Sequence, residues 1–120
     1  MRDFRGLKVW GKGHQLVLEI YKITQSFPNE ELYGLISQIR RAVASIPTNI
    51  AEGCGKDSES ELARYMQIFM GSASELEYHL LLVRDLGYID QPTYQKLNTD
   101  TIEIKKMLSP FINRLRGKKH

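Results

Sequence analysis

The chain has 120 residues, 42% hydrophobic and 26% charged, a size that suits one domain (residues 1–120) with a real core and a composition ordinary for a soluble protein. No apolar run reaches bilayer length, "MRDFRGLKVWGKGH" holds no export signal, and the single cysteine, Cys54, excludes a disulfide framework or a cysteine-rich zinc site, so no membrane association and a cytoplasmic location are expected. The net charge of +3 is unevenly spread: residues 1–28 carry +3, 29–57 −1, 58–89 −3 and 90–120 +4, basic at both ends and acidic between.

Trp10, Gly13, Val17, Ile20, Thr24 and Phe27 step by threes and fours, with Leu16, Tyr21 and Ile23 widening the face, which predicts a helix over about 8–26. Its opposite side, Lys8, Lys12, Gln15, Glu19 and Lys22, is a solvated stripe, and "FPNE" ends it. Gly11 and Gly13 each cost a helix interior roughly 0.5–1 kcal/mol relative to alanine, so its start is expected to fray.

The second stripe, Leu32, Ile36, Ile39, Val43, Ile46 and Ile50, predicts a helix over about 31–52 although Pro47 lies inside it. An interior proline costs about 3 kcal/mol, but the apolar phase survives it, which favours a bend over a stop. Ser45, Pro47, Asn49 and Glu52 are read as a structural kink motif, with Ser45, Thr48 or Asn49 bonding the freed carbonyls and Glu52 capping or pairing with an arginine. The two glycines of "EGCGKD" supply the stop.

Leu62, Met66, Phe69, Ala73, Leu76, Leu80 and Val83 predict a third helix over about 58–86, opened by a capping box from Ser58 to Glu61. In "LGYIDQP", Gly87 suits the position after a helix, Asp90 an N-cap and Pro92 a first turn. Tyr94, Leu97, Thr101, Ile104, Leu108, Phe111 and Leu115 predict the fourth, about 91–116, with a second bend at Pro110. No segment alternates with period two, so the fold class is all-α, and short loops make an antiparallel up-down-up-down four-helix bundle the simplest architecture. In that topology the first and fourth helices, the two basic segments, are neighbours.

A catalytic constellation is not visible. Cys54 stands between glycines with no histidine near it in sequence, and "GCGKD" lacks the spacing and preceding strand of a phosphate loop. Glu75 and His79 lie one turn apart but lack a third ligand, so neither metal nor cofactor is expected, nor an enzyme. Of the adjoining Arg40 and Arg41, about 100° apart on a helix, one reaches the core edge and the other is left for a subunit contact or a phosphate. A second line on helix three, Tyr65, Ile68, Ser72, Glu75, His79, Leu82 and Leu86, is either a broad core face or an oligomer contact; Tyr65, Ile68, Ser72, His79 and Leu82 are the interface candidates.

The remaining signal is basic. Arg2, Arg5, Lys8 and Lys12 lie on or before helix one, and Lys105, Lys106, Arg114, Arg116, Lys118 and Lys119 on helix four and its tail. These ten are the candidate contacts to RNA or DNA, since such side chains release condensed counterions from phosphates. The rival expectation is a protein-interaction or assembly module with no nucleic-acid role.

"FRGLKVWGKGHQLVLEIYKIT", "YGLISQIRRAVASIPTNIAEGCGK" and "GSASELEYHLLLVRDLGYI" resemble the 23S rRNA intervening-sequence proteins, over nearly the whole chain, with "SIPTNIAEG" and its flanking "QIRRA" the most specific part. The resemblance implies an up-down four-helix bundle assembled as a ring-shaped homopentamer. It also implies kinship in fold with the accessory variability determinant of diversity-generating retroelements, a basic pentamer that binds nucleic acid and a reverse transcriptase. Gly11, Gly13 and Pro110 depart from the usual family pattern.

Overall fold

A computed structural model describes residues 3–117. Four α-helices make up most of them: α1 Lys8–Thr24, α2 Ser37–Cys54, α3 Glu59–Asp85 and α4 Gln91–Gly117. They pack as a bundle of 48 × 22 × 21 Å, whose long axis accommodates the roughly 40 Å that 27 residues of helix span in α3 and in α4. Cross-helix contacts fix the direction of each rod. Gly13 meets Pro47 and Thr24 meets Arg40; Ser45 meets Ser72 and Gly53 meets Leu62. Glu77 meets Lys105 and Arg84 meets Tyr94, while Lys12 meets Glu103 and Glu19 meets Lys96. In every pair one number rises as the other falls, so neighbours run antiparallel and α4 closes against α1.

The core is a continuous apolar column, with Ile20, Ile46, Met66, Phe69, Leu80, Val83 and Leu108 wholly buried. On α1 the buried face is Val9, Gly13, Leu16, Ile20 and Thr24. Trp10 and Val17, expected at its centre, are half-buried, and Tyr21 is exposed. The reason lies at Gly13, where a Cβ would stand 3.0 Å from Ile46 Cγ2. The bare glycine lets α1 come down onto α2 beside Pro47, so it turns inward and Trp10 is carried to the edge.

A 3₁₀ turn at Asn29–Glu31 and a π-helical turn at Leu32–Ile36 precede α2, where sequence predicts regular helix from about 31. The wider π turn takes in an extra residue and shifts the phase upstream of it. Leu32, expected in the core, is therefore 44% exposed, and Leu35 is buried beside Ile36. Downstream, α2 runs unbroken through the buried Pro47, and α4 runs unbroken through Pro110.

Helix ends only partly follow the expected punctuation. The two glycines after Glu52 do not stop α2 by a left-handed turn: Gly53 is inside the helix and Gly55 has φ −81°. Gly53 serves packing instead, since a Cβ there would be 3.0 Å from both Leu62 and Tyr65. Gly87, at φ +80°, is the one positive-φ residue among those described. It closes α3 with Tyr88 N–H donating to the Val83 carbonyl and Gly87 N–H to that of Arg84, both at 2.9 Å. Ser58 caps α3 by accepting from the Glu61 N–H at 3.1 Å, but the Glu61 carboxylate turns to Arg64, so only half of the expected box forms. Asp90 caps α4, accepting from the Thr93 N–H at 2.9 Å, and those bonds hold its carboxyl below the usual range.

Candidate nucleic-acid interface

The seam between α1 and α4 is where the two basic segments meet, and it is laced with opposite charges. Lys12 Nζ lies 2.8 Å from Glu103, and Lys96 Nζ lies 2.7 Å from Glu19 and 3.0 Å from Asp100. Hydrogen bonds to Glu19 and Asp100 push the Lys96 ammonium above its ordinary range, and the Lys12 bond holds Glu103 below its own. Beside these pairs runs an open groove of about 700 Å³, between α1 and the start of the chain on one side and α4 on the other. Leu7, Leu16 and Ile104 supply its apolar lining, and Gly6 and Gly11 leave backbone bare along its wall. Arg5, Lys8 and Lys12 line one end, Glu19 and Asp100 the other.

Of the ten candidate cations, Lys105 and Lys106 face α3 and not the seam. Arg2, Lys118 and Lys119 lie outside the described residues. Lys105 turns from α1 to pair with Glu77 of α3 at 2.8 Å, and Lys106 lines a depression with Met70, Ile102 and Pro110 between α3 and α4. Arg114 rests against the Phe111 ring, Arg116 is exposed in the last turn of α4, and Arg5 pairs with Asp3 at 3.3 Å while covering Phe4. What the fold does bring together is the two ends of the chain. With α1 and α4 antiparallel, Asp3 and Gly117 lie at the same end of the bundle, alongside Arg5, Lys8, Arg114 and Arg116. Removing Arg2, Lys118 and Lys119 from the 17 Lys and Arg leaves as many basic residues as the 14 Asp and Glu, so residues 3–117 are formally neutral.

Of the remaining candidates, Ser45, Asn49, Ser72 and Arg40 find local partners. In the Pro47 segment Asn49 Nδ2 donates to the Ser45 carbonyl and to Ser45 Oγ, both at 2.8 Å, and Ser45 Oγ lies 2.7 Å from Ser72 Oγ on α3. Asn49 thus braces the backbone two residues after Val43, whose carbonyl a regular residue at 47 would have bonded; Glu52 is exposed. Of the interface candidates on α3, Ile68 is exposed and Tyr65 and Leu82 are half-buried. Ser72 is engaged with α2, and His79 is 7% exposed, inside the protomer. Cys54 is buried, not displayed between its glycines. Arg40 reaches the end of α1, donating from Nε to Thr24 Oγ1 at 2.9 Å and over the Tyr21 ring, while Arg41 stays exposed. Among the described residues no group of three or more His, Cys, Asp or Glu is placed to hold a metal, and no helix is long and apolar enough to cross a membrane.

Sequence reasoning missed the groove. Gly11 was legible only as a helix weakness, and no local signal tells that Glu19 and Asp100, 81 positions apart, share one lysine.

The family model of the 23S rRNA-intervening sequence protein matches residues 5–110. A solved structure from Bacteroides thetaiotaomicron VPI-5482, described as a protein with unknown function from the S23 ribosomal protein family, is 30% identical; the match covers 87% of this chain and 97% of that one, with a TM-score of 0.80. Among curated proteins none matches the chain.

Proposed function

The chain belongs to the 23S rRNA-intervening sequence protein family, and from that premise we propose that it is a non-enzymatic helical bundle that binds RNA or DNA through the basic end formed by α1 and α4. The observation that carries this reading is the meeting of the chain ends. The antiparallel seam sets Arg5 and Lys8 at the same end of the bundle as Arg114 and Arg116, and with residues 3–117 formally neutral, Arg2, Lys118 and Lys119 give the sequence its net charge of +3. Polyanions are held there by counterion release, with the seam's ion pairs keeping the two helices in register. Such a bundle suits an accessory to a nucleic-acid enzyme such as a reverse transcriptase, acting as a homo-oligomer, a pentameric ring, that repeats the basic end around its axis.

The test is titration of labelled structured RNA and duplex DNA at several salt concentrations. Binding should weaken steeply with salt, and changing Arg114, Arg116, Lys118 and Lys119 to serine should flatten the log–log slope by up to about 3. No binding at low salt removes the reading; binding untouched by the four changes moves the site elsewhere.

A second reading, a protein-assembly module without nucleic acid, is favoured by one observation. Ile68 and Tyr78 on α3 and Leu86 at its C-terminal cap leave 43%, 59% and 49% of their surface exposed, side chains that a subunit contact would cover. Solution mass with and without RNA separates the two: assembly that forms alone and ignores RNA supports the module.

A further inference from the structure

The large apolar side chains left exposed fall into two groups. Ile68, Tyr78 and Leu86 belong to α3 and its cap, within the stretch 58–89, where two basic against five acidic residues give a charge of −3 that repels a polyanion. Leu18 and Tyr21, in the last two turns of α1, and Leu32 and Tyr33, in the π turn before α2, lie toward the end of the bundle opposite Asp3 and Gly117. An open depression of about 450 Å³ is found there. Tyr21, Leu32, Tyr33, Ser37, Arg40 and Arg41 line it, and no carboxylate among the described residues does.

These side chains differ in what already holds them. Arg40 is engaged within the protomer: its Nε donates to Thr24 Oγ1 at 2.9 Å, and its guanidinium covers the Tyr21 ring at 4.8 Å. Tyr33 is 93% exposed and has no hydrogen bond, ring contact or cation contact among the described residues, so both faces of its ring are open. Arg41 is exposed and has no ion pair among the described residues. Glu31, two residues before Tyr33, is turned to the Tyr88 hydroxyl, which donates to it at 2.8 Å. The bared ring is a product of the π turn, which takes Leu32 out of the core and leaves Tyr33 without a neighbour. Such turns are rare and frequently mark functional sites.

An aromatic ring open on both faces, a guanidinium without a partner and a wall without carboxylates match an unpaired base and its phosphate. Any base stacks on such a ring, whereas a duplex keeps its base faces covered within the stack.

We infer that the depression between the end of α1 and the π turn holds a single-stranded segment of RNA or DNA, with a base stacked on Tyr33 and a phosphate at Arg41. This rests on the reading that the bundle binds nucleic acid, and it adds a contact at the end away from the basic one. The two ends then have different tasks. The basic end holds the phosphates of any polyanion; Tyr33 tells an unpaired strand from a duplex. Arg40 is a positioning residue, fixing Tyr21 as the floor.

Fluorescence anisotropy of a labelled oligouridine and of a blunt RNA duplex of the same length, titrated with the full chain, tests it. Tyr33→Ala should weaken oligouridine binding about tenfold or more, the worth of one stacked base, and leave the duplex affinity unchanged. Tyr33→Phe keeps the ring and should bind oligouridine like the unaltered protein. Arg41→Gln should flatten the log–log salt slope for oligouridine by about 0.7, one phosphate contact on a single strand. Both side chains are exposed, so the fold survives these changes. Oligouridine affinity untouched by Tyr33→Ala, or lost in step with that of the duplex, would overturn the inference. So would a fall in solution mass with Tyr33→Ala, which hands the patch to a second copy of the chain. Duplex binding that responds to the four serine changes, with no oligouridine binding at all, removes the inference and leaves the basic-end reading standing. If those four changes alter nothing while Tyr33→Ala still releases oligouridine, the inference stands and the basic-end reading falls. Failure of both probes removes both.

Discussion

Gly11 and Gly13 are two residues apart on one helix and their substitutions should have opposite signs. A Cβ at Gly11 meets nothing, so Gly11→Ala should stabilise the protein by about 0.5–1 kcal/mol through helix propensity alone. At Gly13 the same atom would stand 3.0 Å from Ile46 Cγ2 against the Pro47 turn, and Gly13→Ala should destabilise as α1 is pushed off α2. Urea unfolding of the two variants checks both signs. His79 gives a prediction of another kind. It is buried on α3 with Nδ1 unpartnered, and desolvation outweighs the attraction of Glu75, so its folded-state pKa is lowered from 6.5. The unfolded chain then takes up a proton that the folded one refuses, so stability should fall as pH drops through the ordinary imidazole range and level off below the folded-state pKa. His79→Leu should remove that component of the pH dependence, read from urea midpoints between neutral and mildly acidic pH.

Among the elements, α1 depends on a residue of α2 for its C-terminal end. Arg40 donates to Thr24 Oγ1, which itself donates to the Ile20 carbonyl at 2.8 Å, and it also reaches the Tyr21 carbonyl at 3.4 Å. A cation and donor at a helix C-terminus stabilises it, so Arg40→Met should cost about 1 kcal/mol and loosen the last turn of α1, whereas Arg41→Met should cost little. Hydrogen exchange at residues 21–25 distinguishes them. The element scale is also where the sequence was most and least readable. Stripes on α3 and α4 were legible because their buried residues keep an uninterrupted three–four step, as in Leu97, Thr101, Ile104 and Leu108. Leu32 was misread because a π turn leaves no mark in the spacing, and Gly53 because a glycine for close packing looks like one for stopping a helix. Of the candidate site, the adjacency of α1 and α4 followed from topology. Which cations face the seam did not: Lys105 and Glu77 choose each other across 28 positions, a match that appears only once α3 and α4 are in register.

In the whole molecule the four interfaces are unequal. α2 with α3 and α3 with α4 make the broadest contacts, while α1 with α4 makes the thinnest and keeps a groove open along it. Its ion pairs are largely exposed and contribute little each. α1 should therefore be the first rod to part from the bundle. Native-state hydrogen exchange should show amides in the N-terminal half of α1 opening at lower free energy than those at the centre of α3.

The cancellation of charge within residues 3–117 reaches beyond recognition. A version lacking Arg2, Lys118 and Lys119 would become almost motionless in an electrophoresis gel near neutral pH, and would wash straight through a cation-exchange column. Its colloidal behaviour would change as well, because molecules without net repulsion crowd together and come out of solution more readily.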